Sequence, residues 1–462
     1  MAKKAEMDLK GYIMDKKILN ILIGLAIGVI FFLIALAFFT QTQAYLIGII
    51  AFMVTLWTNE ALPLGVVSLF PIILFPAFNI LSTNATSINY SKSIIFLFLG
   101  GFMLAIAVEK TNLHKVIANK ILSLFPATPR GIIYSLSITS ASLSSFLSNT
   151  TTALLLLPIG MFISENPKLK MRFVLAIAYG ASIGGIITPI GTPPNLILLG
   201  IMEDKGMEMI PFLKWIFMVL PLALIMLIFT GWILSLGVKN IPIKMEKFKT
   251  YLTKEQKKVS FAILALIAVL LINTPIKPYY LGLGLNEKGL LLFFGLLMFM
   301  PPFNILKWED SKKIPFEIIF LFGAGFAIAK AFSNTKLDSA IAQYLIQIGD
   351  INPYLILLFI AALITFTTEI TSNTALTSIM LPVIYSFATS EGSIHNPTLF
   401  LLVATICASY AFMLPIATPP NAIAMSSGAI RIKDMAKIGF ILNIAGILFI
   451  SLIAFLFWSK VL

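Results

Sequence analysis

Charge is scarce in this sequence. Only 11% of its 462 residues are Asp, Glu, Lys or Arg, against about a quarter in soluble domains. A soluble fold would have to hide far more apolar surface than one domain can bury. Cysteine is almost missing too: Cys407 stands alone in an apolar run, which excludes a disulfide framework. Histidine occurs twice, at His114 and His395. Both lie near the ends of apolar segments, which predicts surface residues rather than metal ligands. The apolar segments hold no HExxH, no paired aspartates and no serine–histidine arrangement. No Walker-type phosphate loop occurs either, so nothing in the chain couples it to ATP. These absences weigh against an enzyme, an intramembrane one included, and the sequence is expected to need no organic cofactor.

What is present is apolar length. Hydrophobic residues make up 59% of the chain, and the mean hydropathy is +0.97. Many runs reach the ~20 residues that span a bilayer as a helix. The pattern predicts an all-α polytopic membrane protein with spans at about 18–39, 43–58, 61–81, 93–122, 172–201, 210–237, 258–273, 287–306, 315–346, 397–428 and 434–459. The first follows Lys16 and Lys17 and lacks a small-residue cleavage site, so it reads as a retained helix rather than a signal peptide. Two further stretches, 130–164 and 353–388, are apolar but polar at their centres. Each is long enough for two half-helices meeting at a turn, and both are predicted to be re-entrant hairpins, a form allowed where the tip is buried in protein or lines a cavity.

Eleven crossings and two hairpins can be checked against charge. With the N-terminus (Lys3, Lys4, Lys10, Lys16, Lys17) inside, the inner loops receive Arg130, Lys168, Lys170 and Arg172, then a basic stretch from Lys239 to Lys258, then Lys307, Lys312 and Lys313, then Arg431, Lys433 and Lys437. The outer loops "MEDKGME", "QIGDINP" and "TSEGSIHNP" hold few basic residues. This is the positive-inside distribution. It places the chain in a cell (inner) membrane, N-terminus cytoplasmic and C-terminus outside, and it accounts for the net charge of +13 without nucleic acid.

The chain repeats itself. Shifted by 224 residues, "IIFLFLGGFMLAIAVEKTNLHKVIA" (94–118) faces "IIFLFGAGFAIAKAFSNTKLDSAIA" (318–342), identical at 13 of 25 positions. The same shift puts Ser148, Asn149 and Thr150 on Ser372, Asn373 and Thr374, and Pro158 on Pro382. A shift of 226 puts "TPIGTPPN" (188–195) on "LPIATPPN" (414–421). Apolar bias aligns leucines by chance, but not Asn, Thr and paired Pro in order. Between one copy and its counterpart the chain crosses five times, so the second copy is inverted. The expected organisation is a first repeat at 1–238, with scaffold helices at about 18–122 and a hairpin and broken helix at about 130–201. A basic cytoplasmic linker follows at 239–258. The second repeat is 259–462, with scaffold helices at about 259–346 and a hairpin, broken helix and last helix at about 353–459. Inverted repeats with interrupted helices are the architecture of secondary transporters.

The doubled motifs suit ions. Paired prolines remove donors and interrupt a helix, freeing carbonyls that can hold a hard cation and exposing a helix N-terminus that favours an anion. Serine and threonine hydroxyls and asparagine amides both donate and accept, so the Ser-Asn-Thr tips can serve either charge without a costly buried Lys or Arg. The plainer alternative, small polar residues as helix glue or caps, explains one such motif better than two pairs placed by symmetry. Glu369, just before the second tip, reads as a structural acid holding the hairpin, as a proton carrier or as part of a cation site. Glu60 at a helix boundary reads as structural. A channel also uses broken helices, but channels are usually built symmetrically around a pore.

Two "SNT" tips, two "TPPN" breaks and the run Thr368-Glu369-Ile370-Thr371-Ser372-Asn373-Thr374-Ala375 together resemble the divalent anion/sodium symporter family, over essentially the whole chain. The resemblance implies a homodimer with a fixed scaffold and a mobile transport domain moving like an elevator. It implies Na⁺ as coupling ion at two sites: one from Ser144, Ser148, Asn149 and the Gly191 backbone, the other from Thr368, Thr371, Asn373 and the Ala417 backbone. Substrate carboxylates would meet Asn149, Thr150, Thr192, Asn373, Thr374 and Thr418. The implied function is Na⁺-coupled symport of C4-dicarboxylates (succinate, malate, fumarate). A Na⁺-independent dicarboxylate exchanger, and citrate or sulfate as main substrate, stay open. No Lys or Arg occupies the matched positions, which favours symport.

Overall fold

The computed structural model describes residues 2–238, 252–275, 279–346, 352–389 and 396–462. Among them every regular element is helical. In chain order these are α1 (Ala2–Ala35), α2 (Gln41–Asn59), α3 (Leu64–Val67), α4 (Phe70–Ala77), α5 (Thr83–Ser87), α6 (Ser93–Lys110), α7 (Leu113–Ser123), α8 (Pro129–Ser144), α9 (Asn149–Phe162), α10 (Pro167–Gly185) and α11 (Pro193–Asp204). There follow α12 (Phe212–Leu234), α13 (Lys254–Asn273), α14 (Glu287–Leu297), α15 (Phe316–Thr335), α16 (Leu337–Ile346), α17 (Pro353–Thr368), α18 (Asn373–Ala388), α19 (Pro397–Ser409), α20 (Pro419–Ser426), α21 (Ile432–Ile453) and α22 (Ser459–Val461).

Six helices among the described residues are long and apolar enough to cross a membrane as single spans: 16–35, 41–59, 83–110, 212–234, 316–335 and 432–461. The other five predicted spans differ, each for a local reason. The span at 61–81 is two short helices, α3 and α4, parted at Ser68-Leu69 just before Pro71, as expected where proline has no N–H to give the carbonyl four residues back. The spans at 172–201 and 397–428 break before their paired prolines. The span at 287–306 is helical only to Leu297, ahead of Pro301 and Pro302. The span at 258–273 starts earlier, at Lys254, because Thr253 and Gln256 form a capping box. That start lies inside the predicted linker, whose residues 239–251 are outside the described residues, as are His395 and parts of the loops 346–352 and 389–397.

Two further breaks have no proline. The spans 93–122 and 315–346 bend at Asn112 (φ 54°) and Lys336 (φ 57°), residues one repeat shift apart. A left-handed residue ends a helix by turning its backbone groups off the ladder. His114 follows the first bend and is buried, not on the surface as its position predicts.

The chain forms two compact units. The first comprises 1–92, 316–351 and 374–401. Its core gathers Leu46, Met53 and Leu56 of α2, Phe75 of α4, and Leu321, Ala324 and Phe332 of α15. α1 and α2 cross where Gly28 and Gly48 each leave room only for the other's backbone, the close approach small residues allow in membranes. The second unit comprises 93–315, 352–373 and 402–462. Its spine is α10, buried almost throughout its second half. Gly180 and Gly184 let α10 lie directly on the backbone of α8 at Ser137 and Ala141. Ser140 Oγ then donates to the Ile177 carbonyl across that contact (2.6 Å).

Candidate functional site

The two polar-centred stretches each fold as a pair of helices meeting at a turn: α8 and α9 around 145–148, α17 and α18 around 369–372. Proline at the first helical position starts α8 and α17, where its missing N–H costs nothing. Ser148 caps α9 by accepting from the Thr151 amide (3.1 Å), and its own hydroxyl proton goes to Thr151 Oγ1 (2.8 Å).

At each tip the asparagine carbonyl takes a hydroxyl from five residues upstream. Ser144 Oγ donates to Asn149 Oδ1 (2.5 Å); Thr368 Oγ1 lies equally close to Asn373 Oδ1 (2.5 Å). Thr368 Oγ1 is also 2.9 Å from the Ala408 carbonyl. One hydroxyl proton thus faces two acceptors, and three oxygens converge where a hard cation finds its preferred ligands. Thr371 Oγ1 donates back to the Thr367 carbonyl (2.9 Å), which leaves its lone pairs available. Ser144 and Thr368 are buried, while Ser148, Asn149, Thr150, Thr371 and Asn373 are half-buried.

The breaks sit beside the tips. In the first, 186–192, Gly191 N donates to the Thr188 carbonyl (3.3 Å); in the second, 410–418, Ala417 N donates to the Leu414 carbonyl (3.2 Å). The paired prolines open α11 and α20 as their first two residues. Thr192 and Thr418, both buried, occupy the two N-cap positions; Thr418 Oγ1 accepts from Asn421 N (3.3 Å), whereas Thr192 makes no side-chain cap. α20 packs on both α9 and α10, bringing the helix that follows the second break against the first helix pair. Trp215 Nε1 holds the Ile186 carbonyl at the start of the first break (3.0 Å).

Tip and break are tied together in both copies, by different chemistry. In the first, Thr188 Oγ1 donates to the Ser145 carbonyl. In the second, the matching residues are Leu414 and Glu369, and the backbone donates instead. Glu369 accepts from the amides of Phe412 (2.7 Å), Met413 (2.9 Å) and Leu414 (2.9 Å) and from Asn443 Nδ2 (2.6 Å). Of the three roles the sequence leaves open for Glu369, this geometry fits the structural acid.

Of the predicted site residues, Ser144, Ser148, Asn149, Thr150, Gly191, Thr192, Thr368, Thr371, Asn373, Ala417 and Thr418 all lie in the second unit. Thr374 falls in the first, buried, with its carbonyl accepting from Ser378 Oγ (2.9 Å). Sequence reasoning assigned no role to three residues. Asn195 and Asn421, the last letters of both TPPN motifs, each bond two carbonyls of their break, and their repetition was the signal. Asn443 sits in an apolar helix with nothing around it to mark it.

Two solved transporter structures share this fold. The Alcanivorax borkumensis YdaH transporter superposes with a TM-score of 0.55 at 12% identity, covering 79% of this chain and 85% of that one. Neisseria gonorrhoeae MtrF, one of a class of antimetabolite efflux pumps, does so with a TM-score of 0.55 at 12% identity, covering 80% and 82%. Doubled helix pairs and doubled breaks recur within this all-helical fold. The chain belongs to the citrate transporter family, whose model matches residues 49–406, in keeping with the divalent anion/sodium symporter resemblance of its motifs. It is 32% identical to the sodium-dependent dicarboxylate transporter SdcS of Staphylococcus saprophyticus, over 96% of this chain and 92% of that protein. It is 34% identical to SdcS of Staphylococcus aureus strain USA300, over 94% and 90%. Its relatives are transporters, and it is not an enzyme.

Proposed function

We propose that this protein is a Na⁺-coupled symporter of C4-dicarboxylates such as succinate, malate and fumarate. The observation that carries the reading is the recurrence, in one compact unit, of a buried hydroxyl set on a tip asparagine carbonyl beside a proline-started helix. The names of the similar staphylococcal transporters supply the substrate class and the ion.

In this reading Na⁺ is cargo. It is held at one tip by Ser144, Ser148, Asn149 and the Gly191 backbone, and at the other by Thr368, Thr371, Asn373 and the Ala417 backbone. The substrate carboxylates meet Asn149, Thr150, Thr192, Asn373 and Thr418, where hydroxyl and amide donors and two helix N-termini favour negative charge. An anion site of neutral dipoles binds weakly alone. Na⁺ bound first fixes both asparagines and adds positive field, so the cation gradient selects the loaded state. The helix pairs are re-entrant hairpins. The hairpins and breaks form a mobile part that carries the site across by an elevator movement within a homodimer, with the N-terminus cytoplasmic and the C-terminus outside.

Uptake of labelled succinate into proteoliposomes tests this, with an inward Na⁺ gradient against a K⁺ control. Accumulation that needs Na⁺ and is suppressed by unlabelled dicarboxylate is expected. Uptake indifferent to Na⁺ but dependent on dicarboxylate inside would make the protein an exchanger. The citrate-transporter family model favours one second reading, citrate as main substrate, which stronger suppression by citrate than by succinate would establish.

A further inference from the structure

Resting on that reading, we infer that Asn195 and Asn421 are the positioning residues of the two breaks, setting how tightly each tip takes its cation without touching it. Both are fully buried at the third position of the helix beyond the break. Asn195 Nδ2 donates to the Gly185 carbonyl (3.2 Å) and the Thr188 carbonyl (2.8 Å). Asn421 Nδ2 donates to the Ala411 carbonyl (3.0 Å) and the Leu414 carbonyl (3.1 Å). The acceptors are ten and seven residues upstream in both copies. Each amide therefore bridges the gap in a broken helix, tying one carbonyl at or near the end of the first half and one inside the break to the first turn of the second half. In both copies the buried Oδ1 has no hydrogen-bond partner among the described residues. The side chain's orientation is thus set by its two donated bonds alone.

The clasp reaches the tips through one residue in each break. Thr188 is held on its carbonyl by Asn195 and on its hydroxyl by the Ser145 carbonyl of the first hairpin. Leu414 is held on its carbonyl by Asn421 and on its amide by Glu369 of the second hairpin. The same two carbonyls, of Thr188 and Leu414, also receive the amides of Gly191 and Ala417, whose backbones belong to the proposed cation sites. In the first copy a second route exists. A Cβ at Gly185 would lie 2.7 Å from Asn149 Oδ1, so the clasped Gly185 peptide is also the floor beneath the tip asparagine. Releasing the clasp frees both walls of the cation site while leaving every proposed ligand in place.

The test is thermal melting of the full-length protein in detergent, titrated with NaCl at ionic strength held constant by KCl, for wild type, Asn195→Ala and Asn421→Ala. Loss of two buried bonds is expected to raise the Na⁺ concentration giving half the melting shift about tenfold in each variant. Asn195→Asp and Asn421→Asp, which turn an oxygen toward two carbonyls, are expected to raise it further. In proteoliposomes the Ala variants should need more Na⁺ for half-maximal succinate uptake yet keep the rate at saturating Na⁺ within about twofold of wild type, since no ligand is lost. If the Ala variants do not fold, Asn195→Ser and Asn421→Ser, which keep one donor, carry the test with a smaller rise. Variants that melt lower but titrate like wild type would overturn the clasp and leave the transport reading standing. A wild-type protein whose melting ignores Na⁺ would overturn the sodium reading itself, and this inference with it.

Discussion

The two tip-and-break modules share their bonds more closely than their sequences. Each has a hydroxyl on the tip asparagine, a clasping asparagine beyond the prolines, and a bond between break and tip. They differ in what makes that last bond and in how far the helix unwinds. The first module uses neutral groups throughout: a threonine hydroxyl on a serine carbonyl. The second buries a carboxylate under three successive amides and an asparagine. In the first module α10 continues to Gly185; in the second α19 stops at Ser409, two residues short of the matching Ala411. Glycine explains part of this. A Cβ at Gly185 would crowd Asn149, and one at Gly191 would collide with the Gly185 carbonyl. The second module carries Ala411 and Ala417 at these positions, and its backbone is opened where Glu369 can take the freed amides. A duplicated site thus kept its contacts while exchanging a tight glycine turn for a wider loop pinned by charge.

The contrast between the modules is greatest at the carboxylate, and substitution there should have the greatest effect. Glu369→Ala strands the buried Phe412 amide and the half-buried amides of Met413 and Leu414, an expected loss of about 3–5 kcal/mol, while Ser145→Ala, at the matching position, removes only a local hydroxyl bond to Ser142 and should cost under about 1 kcal/mol. Melting temperatures of the two variants measure the contrast, and equal losses would end it. Next come the glycines. Gly191→Ala overpacks the first break and should cost about 1–3 kcal/mol, whereas Ala417→Gly should cost about 0.5–1 kcal/mol through the freer unfolded chain. If Gly191→Ala is tolerated as well as Ala417→Gly, the tight turn is not what separates the two breaks.

The smallest effect lies outside both modules. The Lys110 ammonium, 2.6 Å away, holds the Asp310 carboxyl below its ordinary range, helped by the Lys307 amide and opposed by partial burial. A carboxyl lowered in the folded state stabilises at pH values above its unfolded pKa and loses that contribution as pH falls through the folded one. Asp310→Asn should therefore lower the melting temperature slightly at neutral pH, by the sub-kcal amount of a surface pair, and make no difference in strong acid. Neither module's Na⁺ response should change.

Much of this was legible from the sequence, unevenly. The helix pairs fall at 129–162 and 353–388, against 130–164 and 353–388 read from proline starts and polar centres, because those signals are local and strong. The breaks before Pro193 and Pro419 followed from paired prolines for the same reason. The bends at Asn112 and Lys336 were missed, since hydropathy runs on through a left-handed residue. The buried state of His114 was missed with them, because a span drawn as continuous put it near a surface end. In the site, the Ser-Asn-Thr tips were read from their repetition, while Ser144, Thr368 and Thr371 came only through the family resemblance. The clasping role of Asn195 and Asn421 was not, because a donor pairing with carbonyls ten residues upstream depends on how the break folds. Asn443, 74 residues from the carboxylate it serves, leaves no pattern in the chain at all.

The carboxylate pin also fixes an order of synthesis. The first module has its clasp once Asn195 is made and its Trp215 brace shortly after. The second is not complete when its own break has been translated, because Glu369 waits for Asn443 in α21. A ribosome paused between those points holds one module with its clasp and brace in place and a second whose buried carboxylate lacks its last partner. α21 is therefore the piece that seals the charge at the second tip.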